Sequence, residues 1–284
     1  MFFIREDIGV KILINYANEV YRNAQKWNSW TGKHIAGFDK IYEFTPDDID
    51  KDYYIQHEDI LSIPRGNGLW LWKPYFIDRV LSKCNDGDII FYADSGAFFI
   101  NKIDKLISSM RKDEKIWVSD CPLIESCFTK EICFEKMECN DEKIKFSNQI
   151  QATYLLLICC DETKKMIREW LHYCENYELI SPKGGLDFEG QRGKQFVAHR
   201  EDQSILSLLC KKNGIKAHRD PSQRGKYPET FYNSRYEYLV PEHSEDKYNS
   251  ILFLHKSKNV NLWVCMKIFL ITLRCQYRYK KDRG

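Results

Sequence analysis

The sequence predicts an α/β fold in which a mixed, mostly parallel sheet is flanked by helices. Two observations carry this prediction. A strand, a helix and a second strand follow one another at residues 10–16, 19–30 and 37–44, and an uninterrupted apolar strand lies at residues 89–93. Strands that alternate with helices form parallel sheets with helices on their faces. With 284 residues, 43% of them hydrophobic, the chain can bury the core of one large domain or two small ones.

The segment before the buried strand begins with a turn rich in glycine and tryptophan at residues 65–75. Pro74 fits the first turn of a helix because its missing N–H would be unpaired there, so a helix should begin at or next to it. A turn at residues 85–88 leads into the strand, which ends on Asp94 and Gly96. Open α/β sheets bind ligands at the carboxyl ends of strands, and a glycine lets another group approach the backbone.

Polar side chains crowd the start of a later helix, which is predicted at residues 201–213. Glu201 and Asp202 would favour a helix N-terminus through the macrodipole in any protein. The neighbouring polar residues are His199, Arg200, Gln203 and Ser204. Together these side chains suit the binding of sugar hydroxyls and phosphate oxygens by directed hydrogen bonds.

The remaining elements are predicted from shorter patterns. Residues 182–194 are dominated by glycine and charge, and are interpreted either as a mobile loop near a site or as a surface connection. His255 follows the last strand and is either a metal ligand or a ring that caps the core. The other expected strands lie at residues 115–119, 153–158, 215–218 and 251–254, and a further helix lies at residues 162–173.

Composition narrows the functional classes. The 43 Lys and Arg nearly balance the 41 Asp and Glu, so no overall field recruits nucleic acid and a nucleic-acid role is not expected. Eleven cysteines are an odd count in a chain that opens without a signal peptide, so a cytoplasmic location without disulfides is expected. Four cysteines recur every six residues between Cys121 and Cys139, a wider spacing than zinc sites use.

Residues 261–284 are expected to form a basic amphipathic C-terminal tail. The apolar stretch at residues 262–273 is shorter than the roughly 18 to 20 residues that a membrane span requires. Two interpretations remain open. The tail is either a peripheral anchor on the anionic inner face of the cell membrane, or a helix docked on the core with a solvated end.

Four segments resemble those of a bacterial family of nucleotide-sugar glycosyltransferases found in capsule and O-antigen gene clusters. They are residues 64–75, 87–96, 199–204 and 220–223, and the similarity spans roughly residues 8–260. The resemblance implies a GT-A-like fold formed by a single domain, residues 1–260. It also implies transfer of a sugar from a nucleotide-diphosphate donor to a glycan or lipid-linked glycan acceptor in surface polysaccharide synthesis.

The same resemblance implies the site. Asp94 corresponds to the aspartate that meets the donor diphosphate, usually through Mn²⁺ or Mg²⁺, and His255 would complete the metal shell. Asp202 would lie beside the transferred sugar, so Asp202 and Asp94 are the catalytic candidates. The donor-binding residues on this resemblance are Asn15, Tyr16, Arg65, Gly66, Gly68, Trp70, Lys73, Asp94, Gly96, His199, Gln203, Ser222, Gln223 and Lys256.

One departure from the family bears on the metal. The usual motif is Asp-x-Asp, whereas Gly96 stands at the third position here. Asp88 cannot share an ion with Asp94, because at about 3.3 Å per residue it lies roughly 20 Å away along the strand. Either Asp94, His255 and the donor phosphates hold the cation, or basic side chains replace it. The candidate basic groups are Arg65, Lys73, Arg224, Lys226 and Lys256.

The chemistry leaves further alternatives. Asp202 would be the acceptor's base in an inverting transfer, and would position the donor sugar in a retaining one. Trp70, Trp72 and Tyr75 are either stacking faces for sugars or packing anchors. Two other classes of protein remain. A nucleotidyltransferase is disfavoured by residues 15–18, which lack the glycine and lysine of a phosphate loop, and a non-catalytic carbohydrate-binding protein would keep the fold with an impaired site.

Overall fold

The computed structural model describes residues 9–183, 196–225, 228, 239 and 242–283. The strands in these residues are β1 Lys11–Tyr16, β2 Lys40–Phe44, β3 Ile89–Ala93, β4 Ala97–Phe99, β5 Ile116–Trp117, β6 Asp120–Ile124, β7 Asn148–Ile150, β8 Tyr154–Ile158 and β9 Leu252–Leu254. The helices are α1 Arg22–Thr31, α2 Lys51–Gln56, α3 Glu58–Leu61, α4 Gly66–Leu69, α5 Trp72–Leu81, α6 Asp104–Ile107, α7 Glu125–Phe128, α8 Glu131–Lys136, α9 Glu142–Lys145, α10 Asp161–Cys174, α11 Tyr177–Ile180, α12 Glu201–Lys212 and α13 Leu262–Arg283. Single turns of other helix types lie at Glu19–Tyr21, Gly32–Ala36 and Pro46–Asp48.

The central sheet has five strands in the order β2, β1, β3, β8, β5. Strand β1 pairs parallel with β2 and β3, whereas β8 runs antiparallel to both β3 and β5. Four of the five strands therefore share one direction. The predicted α/β class, with a mixed and mostly parallel sheet flanked by helices, is confirmed. Two smaller sheets pair β4 with β9 and β6 with β7.

Both faces of the sheet are covered, which is why β3 is buried along its whole length. Side chains alternate between the two faces of a strand. Ile12 and Ile90 belong to one core, whereas Leu13 and Phe91 belong to the other. Helix α10 packs against both α5 and α12 over the first core. The apolar run at 89–93 thus marks a strand buried on both sides, as the sequence predicts.

Several element boundaries differ from prediction by one to three residues. The helix expected from residue 19 begins as the turn Glu19–Tyr21 and continues as α1. Helix α5 begins at Trp72, so Pro74 is its third residue and still needs no N–H partner inside the helix. Asp88 caps the start of β3, where its carboxylate accepts the N–H groups of Val10 and Asn85.

The predicted strand at residues 215–218 is wrong, since only His218 forms a bridge there, to Ser119. The guanidinium of Arg111 donates to the carbonyls of Lys216 and Ala217 at 3.1 Å each. These carbonyls are therefore taken by a side chain rather than by a neighbouring strand. Strand β5 is likewise shorter than the predicted 115–119.

The predicted loop at residues 182–194 lies outside the described residues from 184 onward. The C-terminal segment forms the long helix α13, Leu262–Arg283. Within the described part of the chain, no helix has both the length and the apolar content that crossing a bilayer requires.

Candidate active site

A cavity of about 960 Å³ opens at the carboxyl ends of β1 and β3. Tyr16 ends β1, Asp94 follows β3, and both line the cavity. Helix α12 contributes Asp202 from its first turn. Two carboxylates that are 108 positions apart in the sequence therefore meet in one site, at the edge of the sheet where open α/β sheets bind ligands.

The ammonium of Lys73 lies between these two carboxylates. Its Nζ is 2.9 Å from Oδ2 of Asp202 and 3.4 Å from Oδ1 of Asp94. It also donates to the carbonyl oxygen of Ala152 at 3.1 Å. The Lys73 side chain is only 3% exposed, so its charge is balanced by protein groups rather than by water. One hydrogen bond and two ion pairs therefore surround the ammonium group.

Burial is the strongest influence on Asp202 and raises its pKa to about 6. The Lys73 ammonium opposes this rise, whereas the charge of Asp94 adds to it. For Lys73, burial lowers the pKa but the two carboxylates outweigh burial, so the net pKa is raised and the lysine stays charged at neutral pH. A carboxylate that titrates close to pH 6 is suited to general base chemistry near neutral pH.

Four further basic side chains line the cavity: Arg65, Arg200, Arg224 and Lys256. The pKa of Lys256 is lowered, first by burial and then by the positive charges of Arg224 and Arg200. The positive charges of these three side chains are therefore close enough to repel one another, and an anionic ligand bound between them would relieve the repulsion. Arg65 is paired instead with the buried Glu201, with Nε 2.5 Å from Oε1.

The glycine- and tryptophan-rich turn forms part of the cavity wall. Trp72 is buried, stacks on Tyr16 with 3.7 Å between ring centroids, and donates its indole N–H to the carbonyl of Gly66. Trp72 is thus a packing anchor that also reaches the cavity wall, and Trp70 lines the cavity beside the guanidinium of Arg65. Gly66 has φ of 61°, and a Cβ there would lie 2.2 Å from the Trp70 ring, so this position requires glycine.

Unusual backbone conformations gather around the cavity. Asn67, Trp70, Glu201 and Lys256 have φ values of 55°, 62°, 43° and 55°, and all four line the cavity. Residues other than glycine rarely adopt positive φ, because the Cβ crowds the backbone. Such conformations persist where the surrounding structure holds them, and they cluster at binding and catalytic sites.

Most of the predicted donor-binding residues lie at the cavity wall. Among them, His199 is buried, and its Nδ1 accepts the N–H of Lys130 at 3.4 Å. Burial, helped by the charge of Lys130, lowers the pKa of His199 to about 3, so its ring is neutral. The predicted residues at the wall are Tyr16, Arg65, Gly66, Trp70, Lys73, Asp94, Gly96, His199, Gln203 and Lys256, together with Asp202.

Two predicted donor-binding residues lie behind the wall. The amide of Asn15 is fully buried and donates to Asn28 and Ser29 at 2.8 and 2.9 Å. Gly68 is buried against Leu61, whose Cα would be 2.9 Å from an added Cβ. Both residues shape the structure under the cavity, and neither presents an atom to its wall.

Two others fix the loop that carries Arg224. The amide of Gln223 donates to the carbonyl of Leu254 and accepts its N–H, both at 2.8 Å, so it pairs with β9 as a short strand would. The hydroxyl of Ser222 accepts the N–H of Arg224. Neither Ser222 nor Gln223 lines the cavity. Lys226, a predicted basic group, lies outside the described residues.

The predicted metal ligands do not form a fitting donor set. Oδ1 of Asp94 already accepts the Tyr92 hydroxyl at 2.6 Å and lies beside the Lys73 ammonium. Nδ1 of His255 accepts the N–H of Ser257, which places the proton of its neutral ring on the buried Nε2. An imidazole binds a metal through an unprotonated nitrogen. In the described parts of the chain, no three His, Cys, Asp or Glu side chains are grouped as metal ligands.

The wall also contains residues that sequence reasoning did not assign to donor binding. Arg200 and Glu201 belong to the polar cluster at the start of α12, and Asn67 lies between the two glycines of the turn. The polar cluster and the glycine-rich turn could therefore have identified these three residues from the sequence. Tyr21 and Ser95 carried no comparable signal. The unassigned wall residues include Asn18, Tyr21, Asn67, Ser95, Thr153, Arg200 and Glu201.

No protein-family model matches the chain, and no curated protein is similar to it. Solved structures resemble its fold, among them the following three. Mouse xyloside xylosyltransferase 1, in its apo form, is 8% identical over 86% of this chain and 97% of its own, with a TM-score of 0.44. The glycosyltransferase GlyE of Streptococcus pneumoniae TIGR4 is 12% identical over 96% of this chain and 64% of its own, with a TM-score of 0.46.

The galactosyltransferase LgtC, in complex with donor and acceptor sugar analogs, is 10% identical over 92% of this chain and 95% of its own, with a TM-score of 0.44. All three of these proteins are glycosyltransferases.

Proposed function

We propose that this protein is a glycosyltransferase that moves a sugar from a nucleotide-diphosphate donor to a glycan or lipid-linked glycan acceptor. One observation carries the proposal: a single cavity combines a cluster of cations with two carboxylates, Asp94 and Asp202, held on either side of Lys73. The cations suit a diphosphate, and the carboxylates suit the sugar and the acceptor hydroxyl.

The diphosphate is assigned to the cluster of Arg200, Arg224 and Lys256. Cleavage of the bond between the sugar and the diphosphate builds negative charge on the departing phosphate, and fixed cations stabilise that charge. The mutual repulsion that lowers the pKa of Lys256 is removed when an anion binds among the three. Because the described residues do not fit a divalent cation, no step of this proposal passes through one.

Asp202 is assigned to the acceptor side of the reaction. In an inverting transfer its carboxylate takes the proton of the acceptor hydroxyl as that oxygen attacks the anomeric carbon, and the nucleotide leaves with the bonding electrons. In a retaining transfer the same carboxylate positions the donor sugar. The anomeric configuration of the product distinguishes the two.

The wider role rests on the sequence motifs. Their resemblance to enzymes of capsule and O-antigen gene clusters supports a place in the synthesis of a surface polysaccharide, at the cytoplasmic face of the cell membrane. The competing classes are a nucleotidyltransferase and a non-catalytic carbohydrate-binding protein. Measurements of nucleotide binding and nucleotide release separate them from a glycosyltransferase.

Calorimetry with UDP, GDP and CMP, each with and without Mn²⁺, tests the proposal. We expect selective binding of one nucleotide, and release of that nucleotide from one member of a panel of nucleotide sugars. Lys256→Met should weaken nucleotide binding roughly 10- to 100-fold, because a hydrogen bond to a charged group contributes about 1.5–3 kcal/mol. Lys258→Met is the matched control, since Lys258 is exposed and does not line the cavity.

The alternatives predict different results. A scaffold protein would bind none of the three nucleotides. A nucleotidyltransferase would instead join a nucleoside triphosphate to a sugar phosphate and release pyrophosphate. Either result would contradict the proposed transfer.

A second part of the proposal concerns helix α13, which we assign to the surface of an anionic membrane. At 100° per residue, seven of its large exposed apolar side chains fall within an arc of roughly 120°, and Ile271, which is 45% exposed, lies roughly 80° beyond one edge of that arc. The exposed Lys267 and Arg274 both lie along that same edge of the arc. Thr272, on another side of the helix, is buried. The exposed apolar residues in the arc are Leu262, Trp263, Met266, Phe269, Leu270, Leu273 and Tyr277.

Deletion of residues 262–284 should therefore reduce sedimentation with vesicles that contain an anionic lipid. An amphipathic helix with cationic flanks binds such vesicles through apolar burial and charge together, so added salt should weaken the binding of the intact protein. Sedimentation unchanged by the deletion would favour a helix docked on the protein. Turnover of donor with a soluble acceptor serves as the control for folding.

A further inference from the structure

Outside the cavity and α13, the largest exposed aromatic side chains gather on helix α1. Trp27 and Trp30 are 37% and 55% exposed, and their rings meet at 6.2 Å between centroids. The exposed His34 extends this row, with its ring 4.9 Å from that of Trp30. Removing an indole ring from water is favourable, so two exposed indole rings side by side on one helix indicate a surface that binds a partner.

A hydrogen bond joins this row to the start of α13. Asn23 lies one helical turn before Trp27 on the same side of α1, and its side-chain oxygen accepts the N–H of Val260 at 2.7 Å. Leu262, the first residue of α13, follows two positions later and is 74% exposed. The aromatic row of α1 and the first turn of α13 are therefore neighbours.

The charge of the two helices indicates the kind of partner. Helix α1 contains two basic residues and no acidic one, and α13 contains six basic residues and one acidic one, in a chain whose net charge is only +2. Lys26 on α1 is exposed, and no acidic side chain of the described residues pairs with it. Tryptophan with flanking lysine and arginine is the composition of protein segments at the interface of anionic bilayers.

We propose that Trp27 and Trp30 of α1 form a second membrane-contact site, which acts together with the exposed apolar face of α13 on a bilayer of anionic lipid. This inference extends the membrane association proposed above. Tyr21, which lies directly before α1, is 37% exposed and lines the cavity. The helix that carries the contact site therefore begins at the edge of the cavity, and its binding to lipid would keep the cavity near the surface that holds a lipid-linked acceptor.

The double variant Trp27→Ser/Trp30→Ser tests this inference in the full-length chain. We expect its partition onto phosphatidylcholine vesicles with phosphatidylglycerol to fall roughly tenfold, although α13 is intact. Ile55→Ser/Phe146→Ser is the matched control, because these side chains are 70% and 56% exposed on other elements and should leave vesicle binding unchanged. Nucleotide binding should be unaltered in both double variants, since none of the four residues lines the cavity.

Each outcome of this experiment supports or contradicts the proposed membrane-contact site. Equal vesicle binding of Trp27→Ser/Trp30→Ser and the unmodified protein would overturn it, while the separate deletion of residues 262–284 would still test α13. A dimer of the unmodified protein that dissociates in the double variant would overturn it as well, because the aromatic row would then bind a second copy of the chain. Loss of vesicle binding in a protein that binds no nucleotide would support the contact site and contradict the proposed transfer.

Discussion

Replacing Asp202 with asparagine should lower sugar transfer by roughly 10²- to 10⁴-fold, the range that loss of a general base costs. Asparagine keeps the shape of the side chain but cannot accept a proton from an acceptor hydroxyl. The fold should survive, because Lys73 retains the carboxylate of Asp94 and the carbonyl of Ala152 as partners. Release of nucleotide from the donor, measured with acceptor present, reports the effect.

The same assignment predicts how transfer depends on pH. Burial raises the pKa of Asp202 to about 6, so this side chain loses its negative charge as the pH falls through that value. The base is present above pH 6 and absent below it, and the rate should drop about tenfold per unit below this value. The acid limb should be missing from the residual activity of Asp202→Asn.

Asp88→Asn is the matched control for this variant. Asp88 is also buried, but it caps the opposite end of β3 by accepting two backbone N–H groups, and it does not line the cavity. The control should keep its transfer rate even where its melting temperature falls.

Asp94→Asn, at the cavity end of the same strand, should abolish transfer. Normal turnover in both Asp94→Asn and Asp202→Asn would show that the site is wrongly assigned.

Local sequence patterns predicted much of the frame around the site. The apolar run 89–93 became β3, and the acidic start with an Asn-Gly end became α12, because hydrophobic burial and helix termination both act over a few residues. Placing Asp94 and Asp202 in one cavity followed from the resemblance to known enzymes. Propensity predicted a strand at 215–218 that does not form, because Arg111, a residue distant in sequence, occupies the carbonyls of Lys216 and Ala217.

Two predicted donor-binding residues that do not reach the wall, Asn15 and Gln223, share one physical cause. Asn15 and Gln223 are polar and close in sequence to wall residues, but their amides satisfy buried side-chain or backbone groups that would otherwise be unpaired. Sequence shows which side chains can form hydrogen bonds, whereas only the packing shows which partner each one meets. For Lys73 the relevant partners are 21 and 129 positions away.

Lys73→Met should have the largest combined effect on stability and activity. Removing the ammonium leaves the buried carboxylate of Asp202 beside that of Asp94 without a cation between them. Breaking a buried ion pair by removing one partner costs about 3–5 kcal/mol. Protonation of Asp202 relieves this cost, so the loss in unfolding free energy should be smallest at low pH and should grow as the pH rises above about 6. Denaturant unfolding at several pH values measures it.

The pH profile of transfer separates this role of Lys73 from general destabilisation. The positive charge of Lys73 lowers the pKa of Asp202, so its removal should raise that pKa and move the acid limb of the remaining activity to higher pH. Lys211→Met is the matched control, because Lys211 is paired with the fully buried Glu125 at 2.5 Å and does not line the cavity. Both variants should lose stability, but only Lys73→Met should shift the acid limb. An unshifted limb in Lys73→Met would mean that Lys73 does not control the ionisation on which transfer depends.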